Sequence, residues 1–111
     1  MSPRAKTDIL QGMLDMLILR TVADAPLHGY GIAQRLRLLS AERLQIPQGS
    51  LYPALHRLEN RGFLRSEWTA TPTGRDAKFY RLTPKGRREL DEQISTWRDL
   101  AGVIGLVLEN A

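Results

Sequence analysis

Three helical segments, a two-stranded hairpin and one last helix follow one another along this chain, which predicts a mainly α fold with a small β-hairpin. Three observations carry that prediction. Apolar residues recur at helical spacing in three short stretches before Gly62. Residues 63–82 switch to alternation around a Thr-Pro-Thr-Gly turn. A final apolar stripe at helical spacing then runs from Leu90 to Leu108. At 111 residues the chain is long enough for one domain with a single modest core.

The first helix is expected over Leu10–Ala25, with Leu10, Leu14, Leu17, Ile18 and Thr21 on one face and Met13, Met16 and Leu19 spread around the rest. A helix apolar nearly all round needs cover on more than one side. Ala25-Pro26-Leu27 ends it. The second helix starts near His28, whose side chain is expected to help start it, and runs to about Leu39. It would bury Ile32, Ala33, Leu36 and Leu39 and turn Gln34, Arg35 and Arg37 outward.

After a connection over Ser40–Pro47, the third helix carries Leu51, Leu55 and Leu58 at the spacing of a core-facing stripe. Gly49, Pro53, His56, Arg57 and Asn60 fall on the opposite face, flanked by Ser50, Tyr52 and Arg61. Pro53 is expected in the first turn, where a missing N–H breaks no helical bond, and free N–H groups are expected beside Gly49 and Ser50. Such an exposed first turn suits close approach to a phosphate or a base edge. Gly62 stops the helix.

The first strand, Phe63 to Ala70, would set Leu64, Ser66 and Trp68 on one face. The second is Ala77 to Leu82, and the turn between them carries Arg75, with Lys78 close by. Trp68, Phe79, Tyr80 and Leu82 are expected to pack in the hairpin and core rather than to stack on bases. Thr83 caps the last helix, with Pro84 at its first position. Its stripe of Leu90, Ile94, Trp97, Leu100, Ala101, Ile104 and Leu108 has no core left to join, so a second copy is the natural partner. This order is that of a winged helix-turn-helix with a C-terminal dimerisation helix. Residues 1–83 would form the DNA-binding part and 84–111 the dimerisation helix.

Charge supports a polyanionic partner. Residues 1–88 hold 15 Lys and Arg against 7 Asp and Glu, whereas residues 89–111 hold Arg98 alone against five acids. The chain has no cysteine, which excludes disulfides and thiolate sites and fits a reducing cytoplasm. No apolar run approaches the ~20 residues of a membrane span, and residues 1–6 lead into an amphipathic segment instead of a signal sequence. His28 and His56 are the only histidines and lack companions at metal-ligand spacing, so no metal or cofactor is expected. No paired carboxylate, His or Cys constellation supports catalysis. Gly29 and Gly31 begin a dinucleotide-like pattern, but Gln34 stands in place of its third glycine.

His28-Gly29-Tyr30-Gly31-Ile32, the run Gly49-Ser50-Leu51-Tyr52-Pro53-Ala54-Leu55-His56-Arg57-Leu58-Glu59 with Gly62 behind it, and Lys78-Phe79-Tyr80-Arg81-Leu82-Thr83-Pro84-Lys85-Gly86 resemble, in order, the PadR family of bacterial transcriptional regulators in its small form. The resemblance implies a homodimer on a double-stranded DNA operator, usually repressing. In many members a small molecule that is toxic or must be exported relieves repression. The third helix would enter the major groove with Gln48, Ser50, Pro53, His56 and Arg57 nearest the bases, and Gly49 also belongs to the DNA-binding set. Tyr30, Tyr52, Arg75 and Lys78 would lie mostly on the backbone. Tyr30 has an equal alternative, packing against the reading helix. Leu90, Ile94, Trp97, Ala101, Ile104 and Leu108 would form the dimer interface. Trp97 would either pack there or wall a flat pocket for a hydrophobic or planar aromatic effector. The rival to a DNA-binding regulator is a winged helix serving as a protein-interaction adaptor.

Overall fold

In the computed structural model, which describes residues 13–111, the elements follow the expected order with one addition. The first helix, α1, is described over residues 13–21. Then come β1 (Leu27–His28), α2 (Gly29–Leu39), α3 (Gln48–Asn60), β2 (Leu64–Ala70), β3 (Asp76–Leu82) and α4 (Pro84–Asn110). Leu10, expected to open the first helix, lies outside the described residues.

The addition is β1. Leu27 and His28 pair antiparallel with Tyr80 and Phe79, so the hairpin becomes a three-stranded sheet in the order β1-β3-β2. A two-residue strand carries no periodicity, and only the arrival of β3 gives it a partner. His28 then does two jobs. Its backbone ends the ladder, and its Nδ1 accepts the Gly31 N–H at 2.9 Å to cap α2.

One core holds the elements together. Leu14, Met16, Ile18, Leu19 and Val22 of the α1 region meet Ile32 and Leu36 of α2, Leu51, Ala54, Leu55 and Leu58 of α3, and Phe63, Leu64 and Tyr80 of the hairpin. The breadth of α1's buried surface answers its all-round apolar sequence. Leu90 closes the same core and is 1% exposed. That corrects its place in the expected dimer stripe: the first turns of α4 belong to the body, and the free stripe starts later.

Two further expectations fail for related reasons. Leu39 is 60% exposed, because α2 ends there and the chain turns away through Ala41 and Glu42, both at positive φ. The Glu42 N–H reaches back to the Arg37 carbonyl at 2.7 Å to close that turn. Trp68 shares a strand face with buried Leu64 and half-buried Ser66, yet it is 68% exposed. The hairpin there has run past the helices that cover its inner face.

The end of α3 and the start of α4 form one joint. Gly62 stands at φ +80, and Phe63 donates to the Leu58 carbonyl, which completes a left-handed helix stop that favours glycine. Thr83 donates its N–H to the Phe63 carbonyl at 3.1 Å and its hydroxyl to the Gly62 carbonyl at 2.6 Å. The same hydroxyl accepts the Gly86 N–H and so caps α4. Lys85 Nζ takes the Arg61 carbonyl at 2.8 Å.

Candidate nucleic-acid interface

The buried stripe of α3 fixes which side of the helix is free. With Leu51, Ala54, Leu55 and Leu58 inward, Gln48, Gly49, Tyr52, Pro53, His56, Arg57 and Asn60 are exposed and Ser50 is half-buried. Open space surrounds Gly49, and no side chain caps the helix behind Pro47. A ligand could therefore approach the backbone of the first turn closely. Two details depart from expectation. The Ser50 N–H is not free, since it donates to the Pro47 carbonyl at 2.9 Å. Pro53 is the sixth residue of the helix, not part of its first turn. Its missing N–H therefore deprives the Gly49 carbonyl of its i+4 donor.

Tyr52 is 45% exposed and closely opposed to Gly29: a β-carbon on Gly29 would lie 2.8 Å from both the Tyr52 hydroxyl and its ring edge. The glycine is what lets the N-terminus of α2 meet α3 here. Tyr30 is 62% exposed beside the His28 ring, and His28 in turn meets Phe79 edge-on with centroids 5.3 Å apart. The exposed ring of Tyr30 is free to meet a partner.

Arg75 is exposed at the wing tip. Gly74 at φ +85 and three hydrogen bonds shape that tip: Thr71 N–H and hydroxyl to the Arg75 carbonyl, and Gly74 N–H to the Thr71 carbonyl. Arg57 and Lys78 are placed differently from Arg75. Arg57 is drawn to α1, where its guanidinium meets Asp15 at 2.9 Å. Lys78 lies one register step beyond the β1 ladder, with its ammonium 3.4 Å from Glu59 and 5.5 Å above the Tyr80 ring. Both keep partial exposure, but each is held by an internal partner.

Glu59 is the residue that sequence reasoning missed. It is the only acid on α3, and its second oxygen accepts the Ser66 hydroxyl. That hydrogen bond, with the Lys78 ammonium adding to it, holds the Glu59 carboxyl below the ordinary carboxylate range against the opposing effect of burial. Burial pushes the Tyr80 phenol up, with Lys78 opposing. No local pattern marks Glu59, because its partners come from two strands beyond the helix.

Along α4, Ile94 is half-buried against the core and Ala101 is half-buried, while Trp97, Leu100, Val103, Ile104, Leu106, Val107 and Leu108 are exposed. Exposed Leu and Val on one helix in this number call for cover. Among the described residues no group of three metal-ligating side chains is assembled, and no helix is long and apolar enough to cross a membrane.

A three-helix body with an uncovered third helix and a three-stranded wing defines a winged helix-turn-helix protein of the DNA-binding regulator class. Residues 18–92 match the model of the transcriptional regulator PadR-like family, and the chain belongs to that family. It is 40% identical over 84 residues to the transcriptional regulator Rv3488 of Mycobacterium tuberculosis, covering 76% of this chain and 75% of that one. An uncharacterized protein of Lysinibacillus sphaericus is 30% identical over 104 residues, 94% of this chain and 95% of that one. Among solved structures, a PadR family transcriptional regulator from Eggerthella lenta superposes with a TM-score of 0.82 at 31% identity, covering 97% of this chain and 92% of that one. A PadR-like transcription factor from Bacteroides fragilis gives 0.75 at 32% identity, covering 94% and 98%. The family is one of regulators, not enzymes, and this chain is a DNA-binding transcriptional regulator.

Proposed function

We propose that two copies of this chain form a cytoplasmic dimer that binds a pseudo-palindromic operator and represses transcription. The observation that carries this reading is the uncovered outer face of α3, where Gln48, Gly49, Pro53 and His56 face solvent from a helix whose other side is buried. A helix so placed can enter a major groove with its N-terminal residues against the bases. Tyr30, Tyr52 and Arg75 then serve the phosphate backbone, whereas the Lys78 ammonium is engaged by Glu59. Arg57 joins the base-facing residues if DNA outcompetes Asp15. The exposed apolar run from Trp97 to Leu108 supports the second copy.

Relief by a flat hydrophobic effector fits the same frame. Trp97 lies at the start of the free stripe, and Gly102 and Gly105 have open space where side chains would be. Because residues 83–85 grip the carbonyls of residues 61–63, a shift of α4 would carry the end of α3 with it. An effector acts only through unequal affinity for the DNA-fitting and non-fitting arrangements, and DNA must weaken the effector by the same factor.

Selection of bound fragments from random DNA tests the central claim. The expected product is a pseudo-palindrome with half-site centres about one helical turn apart, and an affinity that falls with salt at a log-log slope of about −0.9 per phosphate neutralised. Recovery of no preferred sequence, or salt-insensitive binding, would restore the adaptor reading. For the effector, planar aromatic cations are titrated against Trp97 emission in a Trp68→Phe background. Quenching that leaves operator affinity unchanged would remove Trp97 from regulation.

A further inference from the structure

Glu59 is an anomaly on a helix that meets DNA. A carboxylate beside a phosphate backbone repels it, and nothing in the local sequence requires an acid there. Its surroundings supply a reason. One oxygen sits 3.4 Å from Lys78 Nζ, and the other accepts the Ser66 hydroxyl. Ser66 belongs to β2 and Lys78 to β3. The register pairs Ser66 with Tyr80 and Trp68 with Lys78, so the two gripped residues are diagonal neighbours on one face of the hairpin. A single α3 side chain therefore holds both wing strands.

Its position along the hairpin matters as much as its partners. On the far side, β1 supports β3 only through Tyr80 and Phe79. Among polar side-chain contacts between the described residues, the Glu59–Lys78 pair is the outermost tie from the wing to the helices. From Lys78, the outer of the two gripped residues, the hairpin continues three residues to Arg75, about 10 Å of lever. A swing of roughly 10° at the grip would move Arg75 by about 2 Å, enough to break a hydrogen bond to phosphate.

We propose that Glu59 is a positioning residue for DNA binding: by gripping Ser66 and Lys78 it sets the angle of the wing to the reading helix, and so places Arg75 on the DNA when α3 is seated in the groove. The proposal rests on the operator-binding reading above. It also gives Lys78 a role distinct from the phosphate contact that its sequence position suggested.

The sign of one substitution separates this role from simple electrostatics. Glu59→Ala removes a negative charge near DNA, so charge alone predicts tighter binding. Loss of the grip predicts weaker binding, by about tenfold, the worth of one well-placed contact. Operator affinity and its salt slope are measured by fluorescence anisotropy on four proteins: the natural chain, Glu59→Ala, Arg75→Ala and the double variant. With the grip intact, Arg75→Ala should make the slope shallower by about one unit. In the Glu59→Ala background it should leave the slope nearly unchanged. Ser66→Ala, which alters no charge, should weaken binding in the same direction, and Glu59→Gln, which keeps an acceptor for Ser66, should fall between. Hydrogen exchange on the free proteins provides a reading without DNA: Thr69 and Ala77 amides should exchange faster in Glu59→Ala while the core amides do not change.

If Glu59→Ala binds as tightly as the natural chain or tighter, with the Arg75 slope change intact, the positioning role is wrong while the operator reading stands. A natural chain that selects no DNA sequence would overturn both. Should Glu59→Ala fail to fold, Ser66→Ala carries the decision: undiminished affinity and an undiminished Arg75 slope change in that variant would overturn the proposal.

Discussion

The backbone of Gly86 lies against the carbonyl of Phe63 so closely that a β-carbon on the glycine would overlap the carbonyl oxygen and its carbon. That oxygen already accepts the Thr83 N–H. The contact is between backbones, so no side chain can swing aside to make room. It sets the separation between the end of the reading helix and the start of α4, the joint through which the body and the C-terminal helix meet.

Gly86→Ala should therefore be among the costliest substitutions in the chain, despite alanine's better helix propensity. Overpacking against backbone costs typically about 1–3 kcal/mol, and here the upper part of that range is expected. Thermal denaturation should show a fall in Tm of about 4–8 °C for each kcal/mol in a domain of this size. A Tm within a degree of the natural chain's would mean that the helix moves away freely and that the joint is not tight.

Ala41→Gly should do the reverse. Ala41 sits at φ 53, a left-handed conformation that costs an L side chain roughly 1–2 kcal/mol, and glycine relieves this at an entropic cost of about 0.5–1 kcal/mol. A net gain of about half a kcal/mol to one is expected, read as a higher urea midpoint with an unchanged m-value. Glu42 also has positive φ but pairs with Arg37 at 2.7 Å, so Ala41 is the cleaner site.

Ile104→Asp should give a folded monomer at micromolar concentration where the natural chain sediments as a dimer. Ile104 is 46% exposed in the single chain, so the new carboxylate remains solvated in the monomer and is buried unpaired only in the dimer, at a cost of several kcal/mol. Ile94 is the poorer choice, because it packs partly against the core and its loss would also destabilise the fold. A natural chain that sediments as a monomer would defeat the dimer itself.

Base preference and affinity should separate between α3 and the wing. His56→Ala should alter which bases a selection recovers, because the side chain lies on the free face of the reading helix. Arg75→Ala should weaken binding by a similar factor on every sequence tested. A selection with His56→Ala that returns the original site unchanged would place His56 off the bases.

Acid should weaken the wing attachment. The Ser66 hydrogen bond and Lys78 lower the folded-state proton affinity of Glu59 below that of the unfolded chain. Its contribution to stability is therefore fully present at pH values above the ordinary carboxyl value of 4.5, and it is lost as pH falls through the lowered folded value. The difference in Tm between the natural chain and Glu59→Gln should be constant from pH 6 to 8, by the same linkage at about 1.5 units or more above the ordinary value, and shrink below 4.5. A difference that grows in acid would contradict the assignment.

Local pattern in the sequence determined the elements and the faces they turn inward. Leu51, Leu55 and Leu58 named the buried side of α3, Gly62 its stop, and Thr83 with Pro84 the cap of α4, because each depends on residues within one or two turns of one another. The tertiary structure alone decided what those faces and charges meet. It supplied β1 with a partner, took Leu90 from the expected interface into the core, left Trp68 in solvent, and drew Arg57 to Asp15 and Lys78 to Glu59. Periodicity reports that residues share a side. Whether that side is covered, and by which charge, depends on chain segments tens of residues away that only folding brings into contact.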